Sequence, residues 1–334
     1  HRDLHSFPTR RSSDLMTLHE NKEAFSNAIR AASDHLGIRE TFVEKDYWVT
    51  LILRRLSLSE NKNKVVFKGG TSLSKIYGLI DRFSEDVDLA IIKEKGQSNN
   101  KIGKLIKSVQ GELTQGFKEV ITENTSRKKN FRRNEYEYNR VLESESEKPD
   151  GTNRNIVLEI NSLADPVPNE KQQVKSLISR FLEETGQQEL ISKYKLEPFE
   201  LNVLVPKSTL IEKILSIIRL SYFGDGIEKL RSKVRHFYDV YFLAKSEYCN
   251  EYIKSPEFKV DFKRMYAEDK TKFNDPEEWL NSNYTESPAF KSFDDIWEKV
   301  KTAYNTDLKL LVHGDFPEEK DVADLFREII DLLK

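Results

Sequence analysis

The chain has 334 residues, 37% of them hydrophobic and 33% charged, which is enough apolar material for an ordinary globular core. Its 54 Lys and Arg residues nearly balance 56 Asp and Glu residues, so the formal net charge of −2 excludes a protein that coats nucleic acid through overall charge. The single cysteine, Cys249, excludes an intrachain disulfide and a zinc site built from several cysteines. Because no apolar stretch approaches the roughly 18 residues needed to cross a bilayer, we expect a cytoplasmic protein without a membrane span.

The first fifteen residues are polar and stop directly before Met16. The string HRDLHSFPTRRSSDL resembles the translation of a sequencing-adapter fragment. We therefore expect segment 1–15 to be non-native and Met16 to be the natural start.

A helical lead-in is expected over residues 16–60, because apolar residues recur at helical spacing and Gly37 divides them into two helices. The next run, NKVVFKGG, is β-branched and aromatic and ends in Gly69 and Gly70. It is followed by TSLSKIYGLI, which has capping residues and helical spacing. This order predicts a strand, a tight turn and a helix.

Further strands are indicated by DVDLAII, NIVLEIN and ELNVLVP, which alternate or run apolar with one polar interruption. We predict a mixed sheet of four to six strands in a core over residues 61–206. Within it, residues 97–120 are expected to form a helix, and SRKKNFRRNEYEYNR an exposed hairpin. After Pro206 the pattern is helical, which predicts a helical C-terminal domain over residues 207–334.

Two carboxylates are predicted to converge on one face of a strand. Asp86 and Asp88 are two residues apart in DVDLAII, so they share a side of the strand while Glu85 lies on the other. Such a pair suits Mg²⁺ or Mn²⁺, and two metals can activate an attacking hydroxyl and stabilise a leaving pyrophosphate. Glu159 in NIVLEIN is either a third inward carboxylate or an edge residue. Alternatively, Asp86 and Asp88 are merely solvated or salt-bridged.

The glycine pair before the third predicted helix is a candidate phosphate cradle. Gly69 and Gly70 let the backbone approach a phosphate, and Thr71 or Ser72 can cap the helix that follows. The spacing is not that of a Walker A loop, and plain turn chemistry is the alternative. The expected nucleotide-binding set is Lys68, Gly69, Gly70, Thr71 and Ser72, to which the family resemblance given below adds Ser84.

Two further candidates lie in the helical half. Thr209 and Glu212 have the spacing of a capping box, which would start a helix just before Lys213, where a lysine can neutralise triphosphate charge. A solvated lysine is the alternative. Asp239 either forms a helix pair with Arg235 or serves the site.

Basic and aromatic residues alternate in the predicted hairpin, a pattern that can hold an RNA backbone and stack on bases. A solvated hairpin face is the alternative. The candidate RNA-binding residues are Arg127, Lys128, Lys129, Arg132 and Arg133.

Four motifs in order, EKDYWVTLIL, FKGGTSLSKIYGLIDRFSEDVDL, VLVPKSTLIEKI and RHFYDVYFL, resemble the AbiEii/AbiGii toxin family, nucleotidyltransferases related to the mycobacterial MenT toxins. The resemblance covers residues 44–243. It implies an α+β fold, with a polymerase-β-like nucleotidyltransferase core and a helical C-terminal domain. It also implies that Asp86 and Asp88 hold metal, that Lys213 and Asp239 complete the active site, and that Ser84 lies at its rim.

The same resemblance implies an enzyme that moves a nucleotide from an NTP to an RNA acceptor, in relatives a tRNA 3′ end. Its setting would be a bacterial toxin–antitoxin or phage-defence system. The antitoxin would be a winged-helix protein or a kinase that phosphorylates the serine matched by Ser84. The alternatives are nucleotidylation of a protein or small molecule, and a catalytically silent binding module.

Overall fold

Local sequence signals place the first two helices as predicted. The Asn21 side chain accepts a hydrogen bond from the Ala24 N–H and caps the first helix, and Gly37, at a φ of +66°, ends it. The structure is a computed structural model that describes residues 17–84, 86–94, 96–142, 154–163 and 165–334. The predictions for segment 1–15 and for Glu85 therefore lie outside the described residues.

The described chain begins with helices, continues through the strands with helices between them, and ends in helices alone. The helices are α1 Lys22–Leu36, α2 Glu40–Leu58, α3 Gly69–Lys75, α4 Asn99–Leu113, α5 Leu177–Glu184, α6 Gln188–Lys193, α7 Pro206–Ser221, α8 Gly226–Ser232, α9 Arg235–Lys245, α10 Pro256–Lys272, α11 Glu277–Asn281, α12 Pro288–Lys291, α13 Phe293–Ala303 and α14 Glu319–Leu333. The strands are β1 Val65–Lys68, β2 Asp86–Ile91, β3 Lys118–Val120, β4 Ser126–Arg127, β5 Phe131–Glu137, β6 Ile156–Asn161, β7 Asn169–Val174 and β8 Phe199–Leu204.

The strands form one mixed sheet in the order β3-β5-β6-β2-β1-β8-β7, with β4 paired to β5. The central strand β2 runs antiparallel to β1 and parallel to β6. A mixed sheet was predicted, but the described residues form eight strands rather than four to six. The additional strands are short or polar, as in Asn169–Val174, and an edge strand pairs through its backbone without needing an apolar face.

Two local predictions have different outcomes. The helix expected over residues 97–120 is wrong at its C-terminal end: it stops at Leu113, and Gly116, at a φ of +82°, turns the chain so that Lys118–Val120 pairs as β3. The expected hairpin does form, since β4 and β5 are antiparallel neighbours.

The two faces of the sheet are covered differently. One face carries apolar residues such as Leu89 and Ile160 and packs with Phe25 and Trp48 from α1 and α2 in one hydrophobic cluster. The other face carries charged residues and is opposed by α7, α9 and α10. Each large side chain buried in such a cluster contributes roughly 1.5–3 kcal/mol.

A second hydrophobic cluster joins the helices after Pro206 and includes Leu73 from α3 and Ile80. The segment before β2 therefore packs with the C-terminal helices. The division at residues 60 and 206 stays a prediction, as do the domains it defines. Within the described ranges, no helix is long and apolar enough to cross a membrane.

A C-terminal segment also holds the residues that lead into β2. The Phe83 N–H donates to the Leu311 carbonyl and the His313 N–H donates to the Asp81 carbonyl, both at 2.8 Å. Arg82 and Val312 form an antiparallel bridge between them. Segment 311–314, for which the sequence offered no role, thus fixes the backbone on which the acidic motif begins.

Candidate active site

A row of four charged side chains, two acids flanked by two cations, crosses four strands at the centre of the sheet. Asp88 on β2 is the register partner of Lys68 on β1 and of Glu159 on β6, and Glu159 is the partner of Arg133 on β5. Register partners place their side chains on the same face, so these four groups are neighbours. Asp86, two residues before Asp88, lies on that face as well. The structure therefore brings together the three carboxylates that the sequence proposed.

The three acids differ in how well their charges are balanced. Burial, Glu159 and Asp86 together raise the pKa of Asp88 to about 7. Burial and the Asp86 charge also raise the pKa of Glu159. Burial opposes ionisation of Asp86 too, but Arg235, whose Nη2 lies 2.9 Å from Asp86 Oδ2, and Lys233 together outweigh it and lower the pKa of Asp86. The site is short of positive charge at Asp88 and Glu159.

Gly69 is required by the position of Asp88. It has a φ of +83°, and a Cβ built on it would lie 2.1 Å from Asp88 Oδ2. Gly70 is confined in the same way, because its Cβ would lie 2.5 Å from Arg82 Nη2. The glycine pair thus brings backbone close to a carboxylate on one side and to a guanidinium on the other.

The roles expected of Thr71 and Ser72 as helix caps are wrong. The helix α3 begins already at Gly69, with Lys68 as its cap residue. Thr71 Oγ1 donates instead to Ser84 Oγ at 2.9 Å and to the Asp86 carbonyl at 2.5 Å, while Ser72 Oγ donates to the Gly69 carbonyl. Both side chains are buried, so they fix the glycine loop against β2.

Asp239 is the centre of a second charge cluster. Arg82 donates to it with Nε and Nη2 at 2.6 and 2.7 Å, and Lys213 Nζ lies 2.5 Å from its Oδ2. Asp239 is fully buried, and although burial opposes its ionisation, the two cations hold its pKa well below the usual range. Burial also lowers the pKa of Lys213. Of the two alternatives for Asp239, a helix pair with Arg235 is wrong, since Arg235 bonds to Asp86.

The helix that carries Lys213 starts earlier than predicted. Pro206 occupies the first position of α7, where its fixed φ and missing N–H suit a helix start. The capping box of Thr209 and Glu212 is therefore absent, and Glu212 accepts hydrogen bonds from Lys68 Nζ at 2.7 and 2.9 Å. Lys213 lies in the second turn, buried and directed at Asp239 rather than solvated.

Sequence reasoning missed Arg82 and Arg235 as parts of the site. Arg82 is 1% exposed although it stands in a polar motif, and Arg235 was considered only as a partner of Asp239. The available signal was that the motif with Asp86 and Asp88 and the motif with Asp239 each contain an arginine, because a buried carboxylate needs a cationic partner.

These groups surround a pocket of about 330 Å³ between the charged face of the sheet and helices α7, α9 and α10. That volume is in the range of small-molecule sites. Lys68, Gly69, Gly70 and Ser84 line it together with the acids, whereas Thr71 and Ser72 do not. No group of three or more His, Cys, Asp or Glu in the described ranges is arranged to hold a metal ion by itself. A metal here would take its remaining ligands from substrate and water.

The five basic residues predicted to bind RNA do not form one free cationic surface. Arg127 pairs with Glu119 at 2.8 Å, and Lys129 donates to Asn100 at 3.0 Å. Arg133 lies on the pocket side and approaches Glu159 at 3.6 Å, whereas its neighbour Arg132 lies on the opposite face of β5. Lys128 is exposed.

Comparisons with solved structures give distant likenesses. A putative nucleotidyltransferase from H. pylori is 18% identical, with 89% of this chain and 96% of that chain covered and a TM-score of 0.45. JHP933 from Helicobacter pylori is 18% identical, with 88% and 92% covered and a TM-score of 0.44. MenT4, a nucleotidyltransferase toxin from Mycobacterium tuberculosis, is 13% identical, with 83% and 98% covered and a TM-score of 0.37. No curated protein matches the chain.

The profile of one protein family, described as nucleotidyl transferase AbiEii toxin of type IV toxin–antitoxin systems, matches residues 51–328. This range contains the sheet, the glycine loop, both charge clusters and nearly all of the C-terminal helices. The expected fold, a mixed sheet with helices and a helical C-terminal region, is confirmed together with the resemblance. The chain therefore belongs to the AbiEii nucleotidyltransferase toxin family.

Proposed function

We propose that this chain transfers a nucleotide from an NTP to an RNA hydroxyl, at the 3′ end of tRNA, as the toxin of a toxin–antitoxin or phage-defence pair. The observation that carries the proposal is the convergence of Asp86, Asp88 and Glu159 on the floor of a pocket whose opposite wall presents Lys213. The acids are short of positive charge, and Lys213 opposite them is short of negative charge. A metal–triphosphate complex supplies both, because its metal ion is positive and its phosphates are negative.

Asp86 and Asp88 are the residues proposed to hold Mg²⁺ or Mn²⁺, with Glu159 as a third carboxylate. Hard divalent cations prefer oxygen ligands and are often held by one or two carboxylates plus substrate phosphates. The raised pKa of Asp88 supports the assignment, because crowded acids without a cation retain a proton. When bound, the metal would supply charge neutralisation at the triphosphate and activation of the acceptor hydroxyl.

The chain's own residues would position the triphosphate. We propose that Lys68, Gly69, Gly70 and Ser84, which line the pocket beside the acids, contact the phosphates. Lys213 would neutralise charge that develops on the phosphates, where the low dielectric of a buried site strengthens the interaction. Asp239 is not among the pocket-lining residues, so we propose that it acts by holding Lys213 and Arg82 in place.

Family membership implies an NTP substrate and a cognate antitoxin. We propose either a winged-helix or a kinase antitoxin. Ser84 is half-buried at the pocket wall, and its Oγ accepts a hydrogen bond from Thr71. A phosphate on Ser84 would place negative charge beside the acids and block the site.

The test incubates the protein with Mg²⁺, each α-labelled NTP and total tRNA, with Asp86→Ala as the control. We expect label in tRNA with the unaltered protein and none with the variant. Label in protein instead of RNA would support protein nucleotidylation. Absence of label in any acceptor, with no NTP binding, would support a silent binding module.

A further inference from the structure

The far end of the pocket carries an ion pair that the catalytic proposal leaves without a role. Arg219 on α7 donates from Nη1 to Asp269 Oδ2 on α10 at 2.5 Å. Both side chains are largely buried, at 15% and 16% exposed, and both line the same pocket as Asp86 and Asp88. A buried charged pair in a ligand pocket costs desolvation, so its position calls for an explanation.

The Arg219 guanidinium is held in a fixed plane. Its Cζ lies 3.5 Å from the centroid of the Phe273 ring, within the range of a cation–π contact. Phe273 follows the last residue of α10 and is itself half-buried at the pocket wall. A guanidinium fixed on one face by an aromatic ring presents its N–H edge in a defined direction.

Part of the hydrogen-bonding capacity of this pair is unused. A guanidinium has five N–H donors and a carboxylate has two acceptor oxygens. Among the described residues, the ion pair uses Arg219 Nη1 and Asp269 Oδ2, while Asp269 Oδ1 and the other Arg219 donors have no side-chain or backbone partner. The pair therefore offers one acceptor beside several donors to whatever enters the pocket.

The distance from the acids suits a nucleobase. Glu212 on α7 bonds Lys68, the register partner of Asp88, and Arg219 lies seven residues further along the same helix. At 1.5 Å per residue, that is about 10 Å beyond the phosphate end of the pocket. A nucleotide with its phosphates at Asp88 and Gly69 extends its base over a similar distance.

We infer that Arg219 and Asp269 read the nucleobase of the NTP and select bases that carry an exocyclic amino group beside a ring acceptor. This inference rests on the proposed function. The amino group donates to Asp269 Oδ1 and the ring acceptor receives an N–H of Arg219. A carbonyl in place of the amino group faces a carboxylate oxygen, so neither atom has a proton to share and the contact is repulsive.

The experiment compares two NTP pairs that differ at one position, CTP with UTP and ATP with ITP. The ratio of kcat/KM within each pair is measured for transfer to total tRNA, and the ratio of Kd is measured by calorimetry without acceptor. We expect the unaltered protein to prefer the amino member by roughly 10- to 100-fold in at least one pair. Because each ratio comes from one preparation, partial misfolding of a variant cancels.

Asp269→Asn should reduce that preference at least tenfold, because an amide can donate to a carbonyl as readily as it accepts from an amine. Glu257→Gln is the matched control, since it removes one charge from the same helix. Glu257 lies exposed in the first turn of α10 and does not line the pocket, so its variant should keep the preference.

Unchanged ratios between the members of each NTP pair in Asp269→Asn would overturn the inference. So would an Asp269→Asn variant in which only the KM for tRNA rises, because the ion pair would then contact the RNA acceptor and not the NTP. If the unaltered protein transfers nothing, the proposed function fails. The calorimetric ratio then still decides the inference about base recognition.

Discussion

The two charge clusters of the pocket are unbalanced in opposite senses. Around β2, Asp86, Asp88 and Glu159 are crowded in a buried position, and the cations beside them do not offset this at Asp88, whose pKa rises to about 7. Around α9, the single acid Asp239 is shared by Arg82 and Lys213 and stays ionised. The first cluster is thus prepared for a cation and the second for an anion, which is the pair of charges that a metal-bound triphosphate carries.

The clusters should also differ in what they contribute to folding. The acids of the first cluster repel one another, so removing one relieves strain in the metal-free protein. Asp239 instead neutralises two buried cations, so removing it leaves them unpaired. Variants can therefore separate activity from stability.

The largest effect is expected from Asp88→Asn. We expect kcat/KM for transfer to fall at least about a thousandfold, or about 4 kcal/mol of transition-state stabilisation, because a proposed metal ligand is lost. The urea midpoint should stay unchanged or rise. Glu85→Gln is the control and should keep most activity. Equal losses in both variants would contradict the assignment of Asp88.

The second prediction concerns Asp239→Asn. We expect it to lower the free energy of unfolding by about 3–5 kcal/mol, because Arg82 and Lys213 stay buried without a full counter-charge. Lys213→Met is the comparison, since Asp239 then keeps both hydrogen bonds from Arg82. That variant should lose activity with a much smaller change in stability, as measured by urea unfolding. Similar unfolding free energies for the two variants would show that Asp239 is not the structural centre of the cluster.

The contrast between the clusters also explains what the sequence could predict. Asp86 and Asp88 stand two residues apart in one strand, and alternation along a strand is a local rule, so their common face follows from the residues alone. Glu159 stayed open, because its place depends on which strand pairs with β2. The two lead-in helices are equally local, because Asn21 and Gly37 signal their ends. The resemblance supplied the nucleotidyltransferase core and the active-site roles expected of Lys213 and Asp239.

Partners that come from distant parts of the chain were not predictable. Arg82 and Asp239 are 157 residues apart and meet only because α9 packs over the segment before β2. The capping role given to Thr71 failed for a related reason, since its hydroxyl found a tertiary partner in Ser84. The roles of the five basic hairpin residues and of the site residues in catalysis stay predictions.

The third prediction uses the raised pKa of Asp88. A proton and a divalent cation compete for its carboxylate, so Mg²⁺ affinity should rise up to tenfold per pH unit below about 7 and level off above. The same shift means that this group's contribution to the stability of the metal-free protein falls as pH rises from the ordinary carboxyl range toward 7. Calorimetric titration of Mg²⁺ between pH 5.5 and 8.5 measures the first effect. Glu159→Gln should move the break to lower pH, and a break that does not move would assign the shift to burial and Asp86.

The smallest effect is expected from a change next to the segment that contributes to both charge clusters. Residues 81–83 carry Arg82 to Asp239 and lead into Asp86, and a Cβ on Gly314 would lie 2.5 Å from the Asp81 side chain. Gly314→Ala should therefore shift this segment, lower the unfolding free energy by about 1–3 kcal/mol and reduce kcat/KM several-fold, although no charge changes. Gly111→Ala is the control. Gly111 lies in α4 with open space around its Cβ position, and its variant should gain about 0.5–1 kcal/mol without a change in activity. If Gly314→Ala keeps full activity, segment 311–314 supports the fold but does not position the two clusters.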